Sequence, residues 1–173
     1  WARATINRGL YNAEVLQSAQ GQGYDLVTPI QVLNSFAALA NSGTLWRPHV
    51  VLHITDPNGN IAPVAPVINA EVGMRESTYR EMRLAGRKMA LNPGPSQGIS
   101  RMPLYVSAKS GTAQYGVRDS LGRLPFHNWM GGFVAPSNDW SRSDSTFAYV
   151  VFMHGTNTAG NAAKEVTKYY LQL

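Results

Sequence analysis

The stretch from Leu104 to Gly155 restricts the fold most. Three runs with strand patterning follow one another there: "LYVSAKSGTAQ", "NWMGGFVAP" and "STFAYVVFMHG". Each is rich in β-branched, aromatic or small residues and is bounded by turn formers. The connections are short enough to make the runs antiparallel neighbours. A helical pattern closes the chain over residues 161–173. Ala162, Val166, Tyr169 and Leu173 recur there at near-helical intervals and are expected to pack on the sheet.

Upstream, "TPIQVLNSFAALANSG" carries helix signals at both ends. Thr28 is a good N-cap and Pro29 suits the first helical position. Ile30, Leu33, Ala37 and Ala40 share one face, with Val32, Phe36 and Leu39 beside it. So broad an apolar stripe predicts a mostly buried helix, ended by Asn41 and Gly43. Val50, Leu52 and Ile54 then alternate before the turn "DPNGN", which predicts a small hairpin. A second helix is expected from Ser77 or Thr78 to about Ala90, with Met82, Ala85 and Met89 inward and "NPGPSQG" as its stop. Residues 1–24 read as irregular or weakly helical. The order of elements predicts an α/β (α+β) fold, an antiparallel sheet flanked by helices.

At 173 residues and 44% hydrophobic, the chain can bury one ordinary core. Its net charge of +5 is spread out. The densest set (Arg75, Arg80, Arg83, Arg87 and Lys88) falls at helical spacing and reads as a solvated helix face. No stretch interleaves basic and aromatic residues as nucleic-acid binding requires. With no cysteine, disulfides, thiolate metal sites and a cysteine nucleophile are excluded. His49, His53 and His154 stand apart, with no second ligand at metal spacing, so neither metal nor cofactor is expected. No run reaches the ~18 apolar residues of a membrane-spanning helix. The chain does not begin with Met and reads as a piece of something longer.

The hexapeptide "KSGTAQ" carries the chemistry. On a strand, Lys109, Gly111 and Ala113 face one side and Ser110 and Thr112 the other. An edge strand offers unpaired backbone groups to an extended peptide. A lysine and two hydroxyls nearby can hold a carboxylate, and Gly111 removes a side chain where a ligand must approach. Ordinary turn chemistry with a solvated lysine is the competing reading of the same six residues.

K-T-G is a motif of active-site-serine penicillin-interacting enzymes, and "AKSGTAQ" resembles its K-[ST]-G form. "AQGQGYDLVTPIQVLNSFAALANSGTLWRPHVV" is similar to a "GQG…TPLQ…ANGG…P" stretch of class B penicillin-binding proteins, and "HNWMGGFVAP" to their "HAWFVGYAP" strand. The order and spacing of the three agree, and the resemblance covers nearly the whole chain. It implies a peptidoglycan D,D-transpeptidase that cross-links stem peptides through an acyl-serine and is acylated by β-lactam antibiotics. Such enzymes work in the bacterial cell envelope, on the outer face of the cytoplasmic membrane, where a glycosyltransferase is an expected partner. By position, the resemblance gives Lys109 a positive charge at the back of the site. It gives the Ser110 and Thr112 hydroxyls contact with a carboxylate, and the Thr112 N–H an oxyanion role. Gly111 keeps the strand clear, while Ala113 and Gln114 line the groove beyond. His127 and Trp129 support the second strand.

The family's other two motifs, S-x-x-K and S-x-N, do not occur. No serine stands three places before Lys88, Lys109, Lys164 or Lys168, and none stands two places before any asparagine. Residues 1–173 are therefore expected to be the C-terminal part of one transpeptidase domain. The nucleophile and its lysine base are expected in an N-terminal half outside these residues, and this chain alone should not catalyse acyl transfer. The apolar faces of helix 29–41 and of the sheet should then stand open. A β-lactam sensor, a catalytically dead peptide-binding relative and a β-lactamase are the competing readings. Ser107 reads as an ordinary polar residue. "PSQGIS" departs from the Gly-Thr-Ala stretch of many members.

Overall fold

The computed structural model describes all residues except 1–4, 6, 93–98, 100–103, 144, 146, 157 and 173. Helix α1 (Asn12–Ala19) leads into α2 (Pro29–Ala40). Thr28 caps α2 as expected: its hydroxyl accepts from the Gln31 N–H, while the Gln31 side chain accepts from the Thr28 N–H. Strand β1 (Thr44–Trp46) pairs with β4 (Ile68–Glu71), and β2 (His53–Thr55) with β3 (Ile61–Pro63). The hairpin expected around "DPNGN" is therefore present, turned by Gly59 at φ +84°. The β1–β4 pair was not anticipated, because three residues are too few for a period to show. Every residue of β2 and β3 is exposed.

Helix α3 (Glu76–Leu91) precedes the main sheet of β5 (Tyr105–Gln114), β6 (Phe126–Ala135) and β7 (Phe147–His154), in that order and antiparallel. Helix α4 (Ala159–Leu171) closes the chain. The predicted antiparallel sheet flanked by helices is the observed architecture.

The sheet has two covered faces. Val106, Ala108, Met130, Val134 and Tyr149 meet Ala159 and Ala163 of α4 on one. On the other, α2 and α3 pack through Leu39, Ala40 and Leu84 with Phe133 and Trp140. Glycines set this spacing. A Cβ at Gly86 of α3 would stand 2.1 Å from Ser107 Oγ, and one at Gly131 would stand 2.1 Å from the Phe36 ring of α2.

Four sequence expectations need correction. In α4 the residues against the sheet are Ala159, Gly160, Ala163 and Thr167, whereas Val166 is exposed and Tyr169 is 89% exposed. Small residues won because they let the helix axis come close. Asn128 Oδ1 fixes its start by accepting from the Ala159 N–H at 3.1 Å. Leu173 lies outside the described residues. In α3, Arg83 is not solvated but 1% exposed. Its guanidinium donates to Leu39 O at 3.1 Å, Ser42 Oγ at 2.6 Å and Glu76 Oε1 at 2.8 Å, so its donors are satisfied in burial. Helix α2 is less buried than its stripe predicts: Ala38 and Ala40 are covered, Ile30 is exposed. Met82, expected inward, is also exposed, at the margin of a cleft between α2, α3 and β5.

Candidate functional site

The motif residues Lys109 to Gln114 lie on β5, at one edge of the sheet. Their register fixes which way each backbone group points. Tyr115 N–H donates to Pro125 O across to the neighbouring chain segment. In an antiparallel pair, a residue's N–H and C=O point the same way and alternate along the strand. Lys109, Gly111 and Ala113 therefore turn their backbone groups toward β6, opposite Gly131, Trp129 and His127. Ser110, Thr112 and Gln114 turn theirs toward the free edge. Two contacts agree: Lys109 Nζ donates to Ser110 O at 2.5 Å, and Gln22 Nε2 donates to Thr112 O at 2.9 Å.

Side chains divide the other way. Ser107, Lys109, Gly111 and Ala113 face the α2–α3 side. Ser107 is buried there and donates to Arg83 O at 3.0 Å, so its hydroxyl is tied to packing. Lys109 and Thr112 are exposed. A Cβ added at Gly111 would meet only Trp129 Cβ, at an ordinary 3.5 Å. No described residue of this chain needs a glycine there.

Beside β5 lies an open cleft of about 720 Å³ between α2, α3 and the strand. Phe36, Leu39, Tyr79, Met82 and Met89 line it, with Lys109 among the few polar residues. From helix α2, Ser35, Phe36, Ala38 and Leu39 reach this wall.

Two residues without an assigned role in the sequence reading help to build the site. Gln22 is held between Gly21 and Gly23, at φ +73° and +74°, a conformation that favours glycine. The "GQG" spelling carried that signal, but only the fold reveals that its side chain reaches Thr112. Asn128 donates to Gly111 O at 3.3 Å while accepting from α4, so one side chain joins β5, β6 and α4. The connection 115–125 is internally bonded. Asp119 accepts from the N–H groups of Leu121 and Arg123 and pairs with the Arg123 guanidinium at 2.9 Å. Among the described residues no three His, Cys, Asp or Glu side chains are grouped to hold a metal ion. No helix of these residues is long and apolar enough to cross a membrane.

The structure thus presents an antiparallel sheet with helices on both faces and the K-S-G-T residues on its free edge. Residues 4–172 match the family described as the penicillin binding protein transpeptidase domain, and the chain belongs to that family. It is 28% identical over 151 residues to the peptidoglycan D,D-transpeptidase MrdA of Escherichia coli K12, covering 80% of this chain and 24% of that protein. Penicillin-binding protein 2B of Streptococcus pneumoniae R6 superposes with a TM-score of 0.73 at 21% identity, over 95% of this chain and 28% of that one. Penicillin-binding protein A of Mycobacterium tuberculosis, solved as a penicillin G acyl-enzyme complex, superposes with a TM-score of 0.69 at 18% identity, over 90% of this chain and 34% of that one. The chain thus spans about a quarter of its curated relative's length.

Proposed function

We propose that this chain supplies the K-S-G-T wall of a peptidoglycan D,D-transpeptidase site, and that residues outside these 173 supply the attacking serine and its lysine. The open edge of β5 carries this reading. Thr112 N–H points along that edge, where an oxyanion of an acyl intermediate can accept from it. The Ser110 and Thr112 hydroxyls and the Lys109 ammonium offer donors to the terminal carboxylate of a stem peptide, or to the carboxylate of a β-lactam. Gly111 leaves the approach clear, and Ala113 and Gln114 extend the wall. An extended peptide pairing with the edge adds backbone hydrogen bonds, the β-augmentation mode.

The chemistry is nucleophilic. The serine oxygen adds to the D-alanyl carbonyl, the terminal D-alanine leaves, and the amine of a second stem peptide takes the acyl group. None of these bonds is made by a side chain of this chain. Its part is charge, shape and hydrogen bonding. The work belongs to the outer face of the cytoplasmic membrane, beside a glycosyltransferase that extends the glycan strands.

The test is incubation with fluorescent penicillin followed by intact-mass spectrometry. The 173-residue chain is expected to form no adduct, while a longer protein that also carries S-x-x-K forms a stoichiometric, slowly hydrolysed one. A stoichiometric adduct on the short chain overturns the assignment of the nucleophile. Rapid hydrolysis in the longer protein points to a β-lactamase.

A further inference from the structure

Asn128 stands on β6 opposite Thr112, and its side chain joins two backbone groups that lie far apart in sequence. Its Oδ1 accepts from the N–H of Ala159, the first residue of α4, at 3.1 Å. Its Nδ2 donates to Gly111 O at 3.3 Å. Only this orientation of the amide satisfies both contacts. Turned over, it would set its amino group against an N–H and its oxygen against a carbonyl oxygen. Thr158, the residue before α4, gives the helix no side-chain cap, so the Ala159 N–H depends on Asn128 for its acceptor. Ala159 is fully buried, where an N–H without an acceptor is costly.

The carbonyl of Gly111 and the N–H of Thr112 belong to one peptide unit, and in a trans peptide the two point in opposite directions. Gly111 turns its carbonyl toward β6, so the Thr112 N–H points to the free edge. A carbonyl oxygen has two lone pairs, which leaves Gly111 O able to take the ladder bond from Trp129 and the bond from Asn128 together. We propose that Asn128 is a positioning residue for acyl transfer: it holds and polarises the peptide whose N–H serves the oxyanion. A hydrogen bond donated to a peptide carbonyl draws electron density from the peptide nitrogen and strengthens its N–H as a donor. One chain of hydrogen bonds then runs from the first N–H of α4, through Asn128 and the Gly111–Thr112 peptide, to the free edge of β5. Bonds of this kind are often long before substrate arrives and tighten in the transition state. This role rests on the oxyanion part proposed for Thr112 and names the residue behind that donor.

Gln22 cannot substitute for Asn128. It bonds to Thr112 O, which belongs to the next peptide unit. Asn128 also leaves the sheet on the α4 face, away from Lys109 and Gly111 on the α2–α3 side. It is therefore placed to change the rate of the step in which charge develops, and not the affinity for what lies in the cleft.

Acylation kinetics with penicillin G over a range of concentrations, in the longer protein that carries S-x-x-K, test it. Asn128→Ala is expected to lower the limiting acylation rate about five-fold or more and to leave the half-saturating concentration within about two-fold. Asn128→Asp keeps an acceptor for the Ala159 N–H but loses the donor to Gly111 O. It should melt as the parent does and still acylate slowly, whereas a residue that only caps α4 would leave this variant at the parental rate. The isotope-edited infrared band of the acyl-enzyme carbonyl gives a second readout. It should move to higher wavenumber in both variants, as the hydrogen bond from Thr112 weakens. A parental limiting rate in Asn128→Asp overturns the proposal, and so does an unmoved band. Should Asn128→Ala melt early, the band decides, because the acyl-enzyme forms only on folded protein. A parent that forms no adduct overturns the reading at β5 and this proposal with it. A parent slowed by Lys109→Ala but not by Asn128→Asp overturns this proposal alone.

Discussion

The side-chain amide of Gln22 donates to the carbonyl oxygen of Thr112 at 2.9 Å, joining residues 90 positions apart. One end of the family stretch "GQG…TPIQ" thereby touches the strand that carries K-S-G-T. The bond anchors the carbonyl of Thr112, the residue whose own N–H also turns toward the free edge. Gln22→Ala is expected to leave the melting temperature nearly unchanged, because an exposed hydrogen bond contributes only about 1 kcal/mol. Acylation by fluorescent penicillin, in protein that carries the nucleophile, should slow about three-fold or more as Thr112 loosens. An unchanged acylation rate removes Gln22 from the site.

Gly111 and Gly132 separate room for a ligand from room for the fold. A Cβ at Gly132 would lie 2.4 Å from Ser107 O and 2.9 Å from both Ala108 Cβ and Tyr149 Oη. Gly132→Ala should destabilise by about 2–3 kcal/mol, read by urea unfolding. Gly111→Ala meets nothing closer than 3.5 Å and should leave stability nearly unchanged. It should nonetheless slow acylation, and so should Lys109→Ala, because both act on whatever lies against the strand. Wild-type acylation in both variants contradicts the proposed wall.

Arg83 ties α3 to the end of α2 by donating to Leu39 O and Ser42 Oγ. Arg83→Met keeps much of the buried bulk but leaves those acceptors without their donor. A loss of roughly 2 kcal/mol is expected from thermal or urea unfolding. A change within the error of the measurement would mean that water replaces the guanidinium at no cost.

Glu76 predicts the acid limb of stability. The hydrogen bond from Ser42, and next the one from Arg83, hold its carboxyl below the ordinary value of 4.5. A carboxylate depressed in the folded state contributes stability above its unfolded pKa, and that contribution is lost as pH falls through the folded value. Glu76→Gln should therefore flatten the decline in stability as pH drops below about 4.5. Urea midpoints at neutral and acid pH read this directly. Parallel curves for parent and variant would show that Glu76 does not drive the decline.

Much of this was legible in the residues because it depends on short-range physics. Thr28 and Pro29 announced α2 through capping, "DPNGN" announced the hairpin turn, and alternation along β5 fixed which motif residues share a face. The motif spelling itself pointed to the family. What only the tertiary structure decided was which of several apolar or polar faces wins a place in the core. Arg83 goes inside because Leu39, Ser42 and Glu76 converge on it, and no local pattern encodes that convergence. In α4, closeness of approach selected Ala159, Ala163 and Thr167 over the larger Val166 and Tyr169. The meeting of Gln22 with Thr112, and of His127 with His154, depends on strand register and on segments far apart in sequence. Spacing along a chain reports only which residues share a face of one element; packing between elements decides what each face meets.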